Sequence, residues 1–130
     1  MFDIDVLNLF SSYSNEEYDL NAILSKIRPS NKYNTIFYVD AKLYGDTFFG
    51  FLCYDRQIIH SFNLKTKKSD EAEKITLSSY YSAIRSKFKR FNIFADSMNA
   101  IRLIDDERVC HVPRKRNPLN VLMPFQLKIT

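Results

Sequence analysis

Apolar and polar positions follow two rhythms along this chain, and the switches between them mark its elements. Residues 35–40 are apolar up to their closing aspartate, the pattern of a central strand. Residues 42–46, which include Gly45, read as a turn. A second strand, rich in Phe and Tyr, spans residues 47–54, and Asp55 with Arg56 makes a tight connection. The third covers residues 57–64, where Ile58, His60, Phe62 and Leu64 alternate against Ile59, Ser61 and Asn63. Connections this short imply an antiparallel meander. The rhythm then turns helical. Ser69 and Asp70 are a fair cap, and Leu77, Tyr80, Tyr81, Ile84 and Phe88 form the inner stripe of a helix running to about Lys89.

Residues 91–95 are a short, nearly unbroken apolar run that predicts a strand buried on both faces. Asp96 and Ser97 punctuate it, and Met98, Ile101, Leu103 and Ile104 then fall at helical spacing. Residues 107–112 predict a last strand. Asn117 and Pro118 open a final helix that Pro124 holds to less than two turns. Upstream, residues 2–28 read as helical, with a capping box at Ser14 and Glu17 and a stripe of Tyr18, Ile23, Leu24 and Ile27. Pro29, Ser30 and Asn31 end that segment. The chain therefore reads as an acidic, mainly helical extension over residues 1–33 and an α/β body with a mixed sheet over residues 34–130.

Composition narrows this only a little. A chain of 130 residues with 45% apolar and 26% charged residues can bury an ordinary core. No apolar run reaches membrane-spanning length, and an N-terminus with Asp3 and Asp5 and no basic residue does not read as a secretory signal. Cys53 and Cys110 stand alone in apolar surroundings, which suits buried thiols in a reducing compartment and predicts an intracellular, cytoplasmic protein. His60 and His111 lack ligand-like neighbours, so zinc is not expected. The net charge of +4 is uneven. Residues 1–30 carry five acids and two bases, whereas residues 31–130 carry seventeen bases and ten acids. A basic body suits a polyanionic partner. The acidic extension suits packing on the body or a protein partner.

Placement of the acids carries more. Asp40 closes the first strand and Asp96 the fourth. A right-handed helical crossover would make these strands parallel neighbours, with their ends roughly 5 Å apart. Glu73, in the first turn of the crossover helix, continues the buried stripe, whereas Glu71 shares the wetter face with Ser78 and Ser82. Three carboxylates so close repel one another and raise their pKa values. A divalent cation relieves the conflict, and oxygen-only ligation selects Mg²⁺ or Mn²⁺. Each acid alone has a plainer reading: Asp96 as a helix cap, Asp40 as a solvated strand end, Glu73 as an acid favoured by the helix dipole.

Four segments together resemble the ribonuclease H-type domain over about residues 34–122. They are Tyr-Val-Asp40 with its glycine-bearing hairpin, Ala-Glu73-Lys-Ile-Thr-Leu, Phe-Asn-Ile-Phe-Ala-Asp96-Ser97, and His-Val-Pro113-Arg-Lys-Arg-Asn117. The resemblance implies a five-stranded mixed sheet, three antiparallel strands followed by two parallel ones, flanked by helices. It implies Asp40, Glu73 and Asp96 as catalytic ligands of two Mg²⁺ ions. The implied reaction is hydrolysis of the RNA strand of an RNA–DNA hybrid. The family's fourth acid, four residues beyond the asparagine matched by Asn117, is Val121 here, with Asn120 beside it offering a neutral oxygen to a metal. The basic insertion of bacterial relatives is also absent. Nucleic-acid contacts then fall to Lys42, Lys65, Lys67, Lys68, Arg114, Lys115 and Arg116, with Ser97 and Asn99 near the corner. The alternative is a catalytically weak or inactive module of this fold that binds nucleic acid or a protein partner.

Overall fold

A computed structural model describes residues 16–120. The expected capping box at Ser14, and Val121 with the rest of the final helix, lie outside these residues. Strands β1 (Thr35–Tyr44), β2 (Thr47–Tyr54), β3 (Gln57–Leu64), β4 (Phe91–Ala95) and β5 (Val109–His111) form one sheet in the order β3-β2-β1-β4-β5. The first three are antiparallel; β4 pairs parallel with β1, and β5 parallel with β4. Helix α1 (Glu16–Ser25) precedes the sheet, α2 (Ser69–Lys87) links β3 to β4, and α3 (Met98–Ile101) links β4 to β5. This is the expected mixed sheet with its flanking helices and N-terminal helix.

Two-residue turns fix the register of the meander. Tyr44 pairs with Thr47, leaving only Gly45 and Asp46 to turn the chain, with Gly45 at φ +65°. β1 therefore continues through Lys42 to Tyr44, four residues beyond its expected end, and residues 42–44 are paired strand instead of turn. At the second hairpin Tyr54 pairs with Gln57, and both Asp55 (φ 53°) and Arg56 (φ 64°) adopt the left-handed conformation.

The core lies between the sheet and α2. Ala72, Thr76, Leu77, Tyr80 and Ile84 are the buried face of that helix, and Leu77, Tyr80 and Ile84 cluster with Phe37, Val39, Leu52, Phe88, Phe91 and Ile93. Leu20 and Leu24 of α1 join the same cluster, so the N-terminal helix is packed on the body; Leu20 was absent from the expected stripe. Two polar side chains brought into this core pair with each other: His60 Nδ1 lies 2.9 Å from the Tyr80 hydroxyl. No described helix is long and apolar enough to cross a membrane.

The region after α2 departs from expectation in three ways. Burial along β4 alternates: Phe91, Ile93 and Ala95 are buried while Asn92 and Phe94 are half-buried. α2 covers one face of this strand, and on the other Phe94 stacks against Tyr38 with ring centroids 5.3 Å apart. The helix after the corner is a single turn. Leu103 and Ile104 donate to the carbonyls of Ala100 and Ile101, three residues back, which tightens and ends it. Met98 and Leu103 are left exposed and Ala100 packs inward. The last strand is three residues long. Asp106, just before it, accepts hydrogen bonds from Arg108 and from the Tyr81 hydroxyl, and the Arg108 guanidinium lies 4.2 Å over the Phe91 ring.

One contact sets the separation of helix and sheet. Gly50 on β2 is buried, and a Cβ there would stand 2.7 Å from the Thr76 hydroxyl and 2.7 Å from the Phe62 ring. A glycine isolated within a strand often marks such a close approach. Gly50→Ala is expected to destabilise the protein by about 2 kcal/mol, the cost of overpacking a dense core. A denaturant midpoint within error of wild type would contradict this.

Candidate metal centre

The sheet register brings two acids together. Tyr38 pairs with Phe94 across β1 and β4, and two residues further on Asp40 comes opposite Asp96. Asp40 is held on its other side by pairing with Phe51 of β2, and it lies within β1 two residues beyond the last pair with β4. Asp96 is the first residue beyond β4. Glu73 comes from α2, at the start of its second turn instead of in its first, because the helix starts at Ser69 with Lys68 as its N-cap. A carboxylate oxygen from each of the three lies within 4.8 Å of the other two. Glu71 is exposed and accepts a 2.6 Å hydrogen bond from the Thr66 hydroxyl.

The plainer readings of Asp96 and Asp40 do not describe them. Capping of α3 falls to Ser97, whose hydroxyl accepts from the Ala100 amide at 3.2 Å. Asp96 is free of that duty, and its Oδ2 is buried without a hydrogen bond. Asp40 is 6% exposed and therefore no solvated strand end. Its Oδ1 accepts from the Ala41 amide at 2.9 Å. Its Oδ2 makes no hydrogen bond and faces the Lys42 ammonium at 3.4 Å.

Burial and mutual repulsion have their expected effect. Burial, then the Asp96 charge, raises the Asp40 carboxyl above its usual range, partly offset by Lys42 and by hydrogen bonding to Glu73 and the Ala41 amide. Glu73 is pushed up to about 8, first by burial and then by the charges of Asp40 and Asp96. A set made entirely of carboxylates, with Asp96 Oδ2 buried without a hydrogen bond and Asp40 Oδ2 met by the Lys42 ammonium alone, matches the needs of a hard divalent cation. The cluster can hold one.

The other expected site residues are spread more widely. Lys42 follows Asp40 by two positions, so their side chains share one side of β1. Its ammonium reaches Asp40 and also donates to Asn120 Oδ1, while Asn120 Nδ2 donates to the Arg114 carbonyl. Asn120 thus presents its oxygen to Lys42. Lys65, Lys67 and Lys68 are exposed in the connection to α2, with the Lys67 ammonium on the Asp46 carbonyl at 2.8 Å. Arg114, Lys115 and Arg116 form an exposed 3₁₀ turn. Asn99 is exposed and accepts from Arg102 at 3.5 Å. Of the aromatics near the first hairpin, Phe48 is buried and Tyr44 packs edge-on against Phe49 and Phe51.

Asn117 has more to do than capping suggests. It is fully buried; its side-chain oxygen accepts from the Leu119 amide at 3.1 Å, and its Nδ2 donates to the Val39 carbonyl at 3.1 Å. That second bond ties the chain leading to Asn120 onto β1 one residue before Asp40. No spacing in the sequence signals it.

The sheet order matches that of the ribonuclease H-like fold class, and the site is a carboxylate cluster able to coordinate a divalent metal. Compared with protein-family models, curated proteins and solved structures, the chain matches none.

The raised carboxyl of Glu73 makes a stability prediction. An acid whose folded pKa lies above its unfolded value takes up protons on folding. Its contribution is therefore greatest at low pH and is lost as pH rises from its ordinary 4.5 through about 8. In metal-free protein, Glu73→Gln is expected to raise the thermal midpoint at the top of that window and leave it little changed at the bottom. Mg²⁺, competing with the proton, should stabilise wild type more at the alkaline end. Melting curves of both proteins across the window, with and without Mg²⁺, decide it; a parallel pH dependence would contradict the assignment.

Proposed function

We propose that this protein is a metal-dependent endonuclease that hydrolyses phosphodiester bonds, with the RNA strand of an RNA–DNA hybrid as its substrate. The observation that carries the reading is the meeting of Asp40 from within β1, Glu73 from α2 and Asp96 just beyond the end of β4, with Asp96 Oδ2 buried without a hydrogen bond. The ends of neighbouring parallel strands are where α/β folds place their ligands.

Asp40, Glu73 and Asp96 are the ligands in this reading, and Mg²⁺ or Mn²⁺ the ion. A divalent ion bound there supplies activation of water and stabilisation of the leaving oxygen. The chain's own residues do the rest. Asp40 is fixed by pairing with β2 and by the Ala41 amide, so its Oδ2, beside the Lys42 ammonium, is preorganised. Ser97 holds the start of α3 and with it the backbone at Asp96. The exposed cations Lys65, Lys68, Arg114, Lys115 and Arg116 offer charge for the phosphates of a polyanion. A binding module without efficient turnover is the second reading, and Val121 in place of a fourth acid favours it.

Incubation of a labelled RNA–DNA hybrid with the protein in Mg²⁺, and separately in Mn²⁺, is expected to give metal-dependent cleavage of the RNA strand. Asp96→Asn should reduce it to background while leaving hybrid binding largely intact. Hybrid retained but never cut by wild type would favour the binding module, and neither binding nor cutting would remove both.

A further inference from the structure

Lys42 stands out once the acids are placed, because a cation already occupies part of the space beside Asp40. Its ammonium forms an ion pair with Asp40 Oδ2 at 3.4 Å, an oxygen that makes no hydrogen bond, and also donates to Asn120 Oδ1. The side chain is only 18% exposed, so its charge is held within the site and is not free to sweep the surface. Asn120 is anchored in turn through its Nδ2 to the Arg114 carbonyl, and Asn117 ties this segment to the Val39 carbonyl on β1. The ammonium is therefore pinned from two sides, by a strand residue and by the segment that packs on that strand.

Charge bookkeeping gives the consequence. Three ionised carboxylates bring three negative charges, and one divalent ion with one ammonium balances them. A second divalent ion would leave the buried cluster strongly positive, and it would need the oxygens that Lys42 now faces. We infer that Lys42 is a built-in counter-ion that takes the place of a second metal, so that the site holds a single divalent ion between Asp40, Glu73 and Asp96. This rests on the metal-site reading above. It assigns Lys42 a positioning role toward Asp40 and Asn120 instead of a contact with substrate phosphates.

Counting bound ions tests the inference without reference to turnover. Calorimetric titration of the full chain with Mn²⁺, paired with electron paramagnetic resonance of the bound ion, should show one Mn²⁺ per wild-type chain with the spectrum of an isolated ion. Lys42→Ala removes the ammonium and frees both Asp40 Oδ2 and Asn120 Oδ1. It should bind two, with the spin–spin coupling of neighbouring ions. Lys42→Gln, which keeps much of the stem and loses the charge, is the second variant and should likewise gain an ion. Lys42→Arg should stay at one. Circular dichroism confirms that each variant is folded. Two ions in wild type, or one ion in folded Lys42→Ala and Lys42→Gln, overturns the inference while leaving the metal site standing. No bound ion in wild type overturns both.

Discussion

Mutual repulsion among Asp40, Glu73 and Asp96 is the constraint around which this molecule is arranged. Like charges brought together in a partly buried site are unfavourable, and a domain of this size has only a modest margin of stability to set against them. The fold meets that cost away from the site. The pairing of β1 with β4 fixes two of the acids across one strand spacing. The third arrives on a 19-residue helix whose apolar face buries Leu77, Tyr80 and Ile84 against the sheet. Burial of those side chains, at about 25 cal/mol per Å² of apolar surface, is what holds Glu73 where electrostatics alone would not.

This division of labour explains why several uncharged residues matter to the chemistry. Gly50 lets α2 approach the sheet closely one turn beyond Glu73. Ser97 takes the capping bond that Asp96 would otherwise make. Asn117 fastens the last described segment to β1. None of them is one of the three carboxylates, yet each helps set where one of them stands. Strain concentrated at a site and offset by the scaffold around it is a general feature of functional centres.

Much of this was legible in the residues. The apolar character of residues 35–39 and 91–95, the short hairpins and the helical stripe of α2 pointed to the meander and to the parallel crossover from β1 to β4, the resemblance supplied the full five-stranded arrangement, and periodicity separated Glu73 from Glu71. What escaped were features decided by packing at a distance. β1 runs on to Tyr44 because a two-residue turn sufficed, which composition around Gly45 did not distinguish from a longer one. The stretch after Asp96 has helical spacing, yet its hydrogen bonds tighten after one turn and leave Met98 and Leu103 exposed. Lys42 reads in the sequence as a contact for nucleic-acid phosphates, since its partner Asn120 lies 78 positions away in the chain.

The three acids also differ in how far they can yield. Asp40 sits on a short side chain within β1, paired there with β2, and Asp96 is confined between the end of β4 and a capped turn. Glu73 alone has an extra methylene and a helical backbone not tied to the sheet by hydrogen bonds. Adaptation to ions of different radius must therefore come almost wholly from that one arm, which makes the centre a rigid jaw with a single adjustable finger.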